Sequence, residues 1–320
     1  MASKVKSFFK LIRVRQYYKN ALIGLGIFFS ENLFNYPLYF PLIIGFCLLC
    51  FTSSINYIIN DIIDREHDKA HPEKLEKKPL ASGELSIRSA IITLIVLVCV
   101  ILLCLIFLTP DLEFALLLLF MFITGQLYSQ LFKNYVFVDI LTLSLGYIWR
   151  ALAGCFLIDQ FISAWLILSI YEVALFLVLA KRKGDLSALG NKEDAVKHKK
   201  VYDAYSMKLL DHLHILMAGS IFITYSLYLI LKFDLFSATS VHLNEYITIL
   251  TIPIILYILM RYMYLTSTQP EIARNTEKVL QDKGIIIAGV VFGIILSYSF
   301  YFDEVITICK NILDFIFSLV

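Results

Sequence analysis

The sequence predicts an all-α, polytopic membrane protein with nine transmembrane helices. Of its 320 residues, 59% are hydrophobic, and the mean hydropathy is +0.77, which is too apolar for a soluble protein of this size. Apolar windows of about 20 residues, the length that crosses a bilayer as a helix, recur along the whole chain. The longest polar stretch runs only from Lys181 to about Met207. We therefore expect one membrane domain over residues 1–320 and no nucleic-acid partner.

Hydropathy and charge together predict the spans and their orientation. The spans are expected at residues 18–34, 37–59, 86–108, 113–132, 136–157, 163–182, 208–232, 246–265 and 284–302. Lys and Arg crowd the N-terminal segment and the segments after spans two, six and eight, whereas the opposite loops hold only Lys232, with Lys310 in the tail. The positive-inside tendency then predicts a cytoplasmic N-terminus. The basic, amphipathic start of the chain lacks the features of a cleaved signal peptide and is expected to lie on an anionic membrane surface.

An acidic run follows the second span. Four residues advance roughly 6 Å along a helix, so Asn60, Asp64 and Asp68 are expected to form one stripe, with Asp61 beside it. Carboxylates repel one another and are costly at a membrane boundary, so a site that gathers several of them is predicted to hold a cation. Oxygen ligands suit magnesium, which commonly bridges a few carboxylates to the phosphates of a substrate. The alternative is a solvated, charged loop without a ligand.

Basic residues accompany this run. Lys74 and Lys78 lie in the loop that leads to the third span, and Lys19 lies where the first span enters the membrane. This composition is expected where magnesium and a diphosphate meet, although the positive-inside tendency alone would also place lysines here. A lysine at the position of Lys19 can extend to the lipid headgroups or reach a phosphate inside the protein. Periodicity does not choose between these alternatives.

A second group of charges lies around span five. Lys133 precedes the span and Arg150 lies about 14 residues into it, near the middle of the membrane, where an arginine costs roughly 3 kcal/mol or more. Arg150 should therefore face a cavity or an anionic partner. We expect this partner to be a lipid phosphate or another substrate anion. Asp139, on nearly the same helix face, provides the alternative of a structural ion pair.

A third basic segment follows span six. It contains Lys181, Arg182 and Lys183, with Asp185 two residues further on. Taken alone, this segment is a basic cytoplasmic loop. The segment belongs to the second of two polar loops, and these two loops are expected to face each other across one cavity.

These residues together resemble the UbiA superfamily of intramembrane prenyltransferases. Its hallmark motif, Asn-Asp-x-x-Asp-x-x-x-Asp after the second helix, occurs here from Asn60 to Asp68. The superfamily's usual second aspartate-rich motif is replaced by the segment 181–185, which is similar to the Lys-Arg-x-x-Glu segment of the decaprenyl-phosphate phosphoribosyltransferase branch, with Asp185 in place of glutamate. The same branch resembles this chain at residues 15–20, 138–140, 146–154 and 261–262. The resemblance implies a nine-helix bundle with a central cavity beneath cytoplasmic cap loops, in a bacterial or archaeal cell membrane.

The resemblance also implies an activity: magnesium-dependent transfer of 5-phosphoribose from phosphoribosyl diphosphate to a polyprenyl phosphate. Magnesium would lie on Asn60, Asp64 and Asp68, with Asp61 as a second-shell residue or a ligand of a second metal ion. Under this resemblance, the residues expected to bind the donor phosphates are Lys74, Lys78, Lys181 and Arg182, those expected to bind the lipid phosphate are Lys19, Lys133 and Arg150, Tyr57 is expected to contact the ribose, and Asp185 is expected to take part in substrate binding.

The sequence leaves two alternative functions open. A prenyltransferase that attaches a polyprenyl chain to an aromatic or other small acceptor would use the same acidic motif, but it would be expected to carry the missing second one. A transporter would also place polar groups along a membrane cavity. The charges of this chain cluster at one face of the membrane and the spans show no clear internal repeat, which favours an enzyme.

Overall fold

The computed structural model describes residues 2–69, 75, 77–108, 111–188, 200–235 and 243–318. These residues form helices and connecting turns, and no strand occurs among them. The chain divides into two compact units, Met1–Ile162 and Ser163–Val320, which are described separately. The all-α membrane fold that the sequence predicts is confirmed, whereas the single domain stays a prediction.

The first unit contains seven α-helices in its described residues. They are α1 (Ala2–Leu11), α2 (Leu25–Phe29), α3 (Tyr39–Ile63), α4 (Arg65–Lys69), α5 (Ile87–Phe107), α6 (Leu112–Gln130) and α7 (Val138–Leu157). Three 3-10 helices connect them, at Val14–Gly24, Tyr36–Leu38 and Phe132–Asn134.

The second unit also contains seven described α-helices. They are α8 (Ala164–Ala188), α9 (Met207–Lys232), α10 (Leu243–Ile247), α11 (Thr251–Thr268), α12 (Pro270–Arg274), α13 (Lys283–Phe300) and α14 (Phe302–Ser318). Its 3-10 helices lie at Lys200–Asp203, Thr248–Leu250 and Thr276–Gln281.

Eight helical segments of the described chain are long and apolar enough to cross a membrane, and they match eight of the nine predicted spans. They are Tyr36–Ile63, Ile87–Phe107, Leu112–Gln130, Val138–Leu157, Ala164–Ala188, Met207–Lys232, Glu245–Thr268 and Lys283–Phe300. Their starts follow local chemistry: the side chains of Ser86, Asp111, Ser206 and Asp282 accept hydrogen bonds from the first-turn amides of α5, α6, α9 and α13. The protein is an integral membrane protein.

The predicted first span, 18–34, is not among these eight. That region forms the 3-10 helix Val14–Gly24 followed by the five-residue helix α2, so the prediction of nine long transmembrane helices is not confirmed. The uninterrupted apolar run is short, because it extends only from Ala21 to Phe29 between the polar Asn20 and Ser30. A continuous spanning helix needs about 20 apolar residues.

Close packing on α7 holds this first segment in place. A Cβ atom at Gly154 of α7 would overlap the carbonyl oxygen of Ile23, so only glycine permits the observed approach of the two backbones. Ile23 and Ile27 join the buried core of the first unit, to which α3, α6 and α7 also contribute. The core therefore fixes the N-terminal segment against the helices that carry the polar residues described below.

The core of the second unit lies among α8, α9, α11, α12 and α13. Phe176, Ile221, Leu259, Ile272 and Ile285 are buried representatives of these five helices. Because α8 packs on both α9 and α12, the basic segment near the end of α8 lies beside residues that are distant in sequence.

Candidate active site

The acidic motif lies at the junction of α3 and α4. The α-helix ends at Ile63, and Asp64 has φ −82° and ψ 2°. The backbone amide of Asp64 donates to the carbonyl oxygen of Asn60 at 2.9 Å, and the backbone amide of Asp68 donates to the carbonyl oxygen of Asp64 at 2.8 Å. The four-residue hydrogen-bond spacing therefore continues across the junction, which keeps the motif compact.

Asp61 and Asp68 share one cationic partner. The Lys78 Nζ lies 2.9 Å from Asp61 Oδ1 and 2.5 Å from Asp68 Oδ2. Arg13 Nη2 donates to the same Asp61 oxygen at 2.7 Å. The two carboxylates are almost completely buried, with 2% and 1% of their side chains exposed. Burial of these charges is tolerable because each one is paired.

The other two motif residues contact α6 and the turn that follows it. Asp64 Oδ1 lies 3.6 Å from Lys133 Nζ, and Asn60 Oδ1 accepts a hydrogen bond from Ser129. The two carboxylates that share a cation are thus Asp61 and Asp68, whereas Asp64 faces a different lysine. Lys133, which the sequence assigns to the lipid phosphate, lies beside the acidic motif.

A cavity of about 270 Å³ opens next to the motif within the first unit. Its lining includes three basic residues, Arg13, Lys19 and Arg150, together with Asn60 and Tyr57. The Arg13 guanidinium lies over the Tyr57 ring, 4.3 Å from its centroid, and so links the cavity to Asp61. A cavity with this lining attracts anions, and its other walls are formed by α3, α6 and α7.

Neutral groups hold Arg150 inside this cavity. Its Nε donates to Asn20 Oδ1 at 2.7 Å and its Nη1 donates to the carbonyl oxygen of Gly146, one turn earlier in α7. Its guanidinium carbon lies 5.9 Å from the Tyr147 ring centroid. The described residues therefore give no support to the alternative in which Arg150 forms an ion pair with Asp139. The described residues around the guanidinium include no carboxylate partner, as expected for an anion site inside a membrane-spanning helix.

The second unit contains a partly buried hydrogen-bond network around Asp185. Tyr202 Oη donates to Asp185 Oδ2 at 2.8 Å, and Arg274 Nε donates to Asp185 Oδ1 at 3.2 Å. Arg182 Nη1 lies 3.8 Å from Asp185 Oδ2 and donates to the Tyr202 hydroxyl at 3.5 Å. Asp185 thus joins two arginines and a tyrosine, and its contacts within this unit are those of an organising residue.

Tyr202 is the most buried member of that network, with 0% exposure. Burial raises the pKa of Tyr202 well above its usual range, with Arg182 lowering it and Asp185 raising it further. The hydroxyl therefore stays protonated near neutral pH and donates to Asp185.

We expect Asp185→Asn to lower the free energy of unfolding by about 2 kcal/mol, because the substitution leaves two arginines facing a neutral group. Asp185→Glu should retain most of this stability, since it keeps the charge. Thermal unfolding in detergent measures both effects, and Asp303→Asn, at an exposed position of α14, is the matched control. Equal stability of Asp185→Asn and the control would contradict a structural role for this network.

The predicted site residues are divided between the two units of the chain. Asn60, Asp61, Asp64, Asp68, Lys78, Lys133, Tyr57, Lys19 and Arg150 all belong to the first unit, and Lys181, Arg182 and Asp185 belong to the second. Lys181 is exposed, whereas Arg182 is buried. Lys74 lies outside the described residues. Sequence reasoning did not assign roles to Arg13, Asn20, Ser129, Tyr202 and Arg274, whose partners are 17 to 130 residues away.

The residues present fit a magnesium ion that also contacts a substrate. Among the described residues there is no group of three or more His, Cys, Asp or Glu side chains arranged to hold a metal ion. Magnesium, however, is commonly held by one or two carboxylates together with waters and substrate phosphates. Asp61 and Asp68 converge on a single positive charge at Lys78, so their oxygens are placed to share one cation.

The family follows from comparison with known proteins. The UbiA prenyltransferase family matches residues 21–276, four-fifths of the chain. The chain therefore belongs to the UbiA prenyltransferase family, and it is a membrane transferase.

Individual relatives agree with this membership. The chain is 27% identical over 295 residues to a decaprenyl-phosphate phosphoribosyltransferase of Corynebacterium glutamicum, covering 90% of this chain and 85% of that protein. An enzyme of the same name from Mycobacterium tuberculosis is 28% identical over 238 residues, covering 71% and 75%. A UbiA homologue from Archaeoglobus fulgidus, solved with GPP and Mg²⁺, has the same fold with a TM-score of 0.63 at 17% identity, covering 92% and 98%.

Proposed function

We propose that this protein transfers 5-phosphoribose from phosphoribosyl diphosphate to a polyprenyl phosphate and releases diphosphate. The observation that carries the proposal is a cationic cavity beside the acidic motif. Asn60 is a residue of the motif that also lines the cavity, and Arg13 lines the cavity and pairs with Asp61 of the motif. The names of the relatives from Corynebacterium and Mycobacterium support the same pair of substrates.

The basic residues are proposed to divide between the two substrates. Lys19 and Arg150 lie in the cavity and are proposed to bind the phosphate of the lipid. Lys78 and the exposed Lys181 are proposed to bind the phosphates of the donor, as are Arg182 and Lys74. The contact of Lys133 with Asp64 favours a place beside the donor rather than beside the lipid phosphate. Tyr57, which lines the cavity, is proposed to contact the ribose.

The reaction needs positioning more than proton transfer. An oxygen of the lipid phosphate attacks C1 of the ribose while the bond between C1 and the diphosphate oxygen breaks, and the diphosphate leaves with the electron pair. The attacking phosphate is already an anion near neutral pH, so no general base is required. Arg150 and Lys19 would hold it in line with the donor, and this alignment lowers the barrier.

The acidic motif is proposed to hold magnesium through Asn60, Asp64 and Asp68, with Asp61, which shares Lys78 with Asp68, as a further ligand. When bound, magnesium would neutralise charge that develops on the departing diphosphate. Asp61 and Asp68, whose oxygens share Lys78, would hold the ion, and Lys78 would then be available to contact a donor phosphate. The Mg²⁺ in the solved Archaeoglobus relative supports the use of a divalent ion.

The active site is proposed to face the cytoplasm of a bacterial or archaeal cell. Lys and Arg are concentrated in the segments next to the acidic motif and after α8, which supports this orientation.

A donor test decides the function. Purified protein, magnesium and mixed polyprenyl phosphates receive either labelled phosphoribosyl diphosphate or a labelled prenyl diphosphate with an aromatic acid. We expect label in the lipid fraction from phosphoribosyl diphosphate and no prenylated acid. The donor carries a 5-phosphate besides its diphosphate, and this extra anion needs the cations that replace the second acidic motif. Prenylation of the acid without ribose transfer would overturn the proposal and favour the alternative prenyltransferase.

A further inference from the structure

We propose that Asn20 is a positioning and specificity-determining residue that keeps Arg150 oriented but electrically uncompensated, so that the cavity selects an anionic lipid over a neutral one. The inference rests on the proposed function, in which Arg150 binds the phosphate of the acceptor. Asn20 lies at the start of the predicted first span and contacts a residue 130 positions away.

The side chain of Asn20 is fixed by three contacts. It is 1% exposed, and its Nδ2 donates to Cys50 Sγ at 3.2 Å. Its Oδ1 accepts from Arg150 Nε at 2.7 Å and from Ser53 Oγ at 3.5 Å. Cys50 and Ser53 both belong to α3, so the amide is held between α3 and α7 with its oxygen directed at the guanidinium.

The guanidinium is thereby oriented from its inner side. Asn20 Oδ1 accepts a hydrogen bond from Arg150 Nε, and the Gly146 carbonyl oxygen accepts one from Arg150 Nη1. An arginine has five N–H donors in a rigid planar fork, so three of them remain for a ligand once these two are bound. A side chain at position 146 would crowd this arrangement, because a Cβ atom there would lie 3.0 Å from Arg150 Nη1.

The chemical nature of the acceptor matters as much as its position. A carboxylate at the same place would also accept from Nε, but it would neutralise the guanidinium and remove most of its attraction for a second anion. An amide supplies the hydrogen bond without the charge. The groups found around Arg150 in the described residues, Asn20, Gly146 and Tyr147, are all neutral, so the positive charge remains available to the cavity.

Binding of farnesyl phosphate and of farnesol to the purified full-length protein in detergent tests the proposal without any donor. We expect Asn20→Asp to weaken farnesyl phosphate binding about tenfold or more, because it places a compensating charge on Arg150. Asn20→Ala should weaken it less, about threefold, since it loosens the guanidinium without neutralising it. Binding of farnesol should change little in either variant. A purely structural role predicts the reverse order, because aspartate preserves the shape of asparagine better than alanine does.

A double-mutant cycle gives a second measurement that does not depend on the folding of Asn20→Asp. If Asn20 acts through Arg150, Asn20→Ala should have no further effect on farnesyl phosphate binding in an Arg150→Met background. Additive losses would overturn the proposal, and so would equal losses for the phosphate and the alcohol or the absence of any preference for the phosphate in the unaltered protein. Because this assay contains no sugar donor, failure of phosphoribose transfer would overturn the proposed function while leaving this result intact.

Discussion

Asp68→Asn is expected to lower turnover roughly a hundredfold or more, which corresponds to a loss of about 2.7 kcal/mol in stabilisation of the transition state. Asp68 is 1% exposed and lies 2.5 Å from Lys78, so asparagine retains its volume while removing the charge that would hold a metal ion. Asp64→Asn should have an effect of similar size. Steady-state transfer of labelled phosphoribose to a polyprenyl phosphate measures both. A chelator should abolish activity, and added magnesium should restore it.

The matched control for this experiment is Glu66→Gln. Glu66 lies on the same short helix as Asp68, but 75% of its side chain is exposed and its partners are Lys69 and Arg65 on the surface. Its substitution should change activity less than about twofold, because exposed ion pairs contribute little. Near-normal activity of both Asp64→Asn and Asp68→Asn, in protein that remains folded, would contradict the metal site.

Arg150→Met is expected to lower kcat/KM for the lipid acceptor roughly a hundredfold while leaving KM for the donor within about twofold. Methionine keeps the apolar stem of the side chain in α7 but removes the only charge that Asn20 and Gly146 orient toward the cavity. Kinetics in which each substrate is varied in turn separate the two effects. The physical reason for the asymmetry is that the proposed donor contacts lie at Lys78 and the acidic motif instead.

Arg88→Met provides the control for this second experiment, because Arg88 is exposed in the first turn of α5. This substitution should leave kcat/KM for the lipid acceptor and KM for the donor unchanged. An equal loss for donor and acceptor in Arg150→Met would assign Arg150 to a general structural role. Unchanged kinetics would remove it from the site altogether.

Hydropathy predicted the membrane helices well because it is a local property. Eight of the predicted spans coincide with helices in the structure, and polar capping residues such as Asp111 and Asp282 explain where some of them begin. The predicted first span, 18–34, is not confirmed, because its uninterrupted apolar run extends only from Ala21 to Phe29, which is too short for a spanning helix. Ile23 of this segment packs closely against Gly154 of α7, a long-range contact that a window average of hydropathy does not report.

The acidic motif itself was also evident in the sequence, since its residues are neighbours within nine positions and remain close in either a helix or a turn. The charge partners of the motif were not evident in the sequence. Lys133 was expected at the lipid phosphate and contacts Asp64, while Arg13 had no assigned role and pairs with Asp61. Asp185, which was expected to contact substrate, joins Arg182, Arg274 and Tyr202.

The sequence alone determined the membrane class, most of the helix positions, the family motif and the need for a partner at Arg150. These depend on composition and on spacing within one helix, which the chain specifies locally. Only the tertiary structure decided that Arg150 is held by Asn20 and that Lys78 joins Asp61 to Asp68. These contacts join different segments, from 10 to 130 residues apart, so they depend on how the segments pack and not on the residues of any single helix.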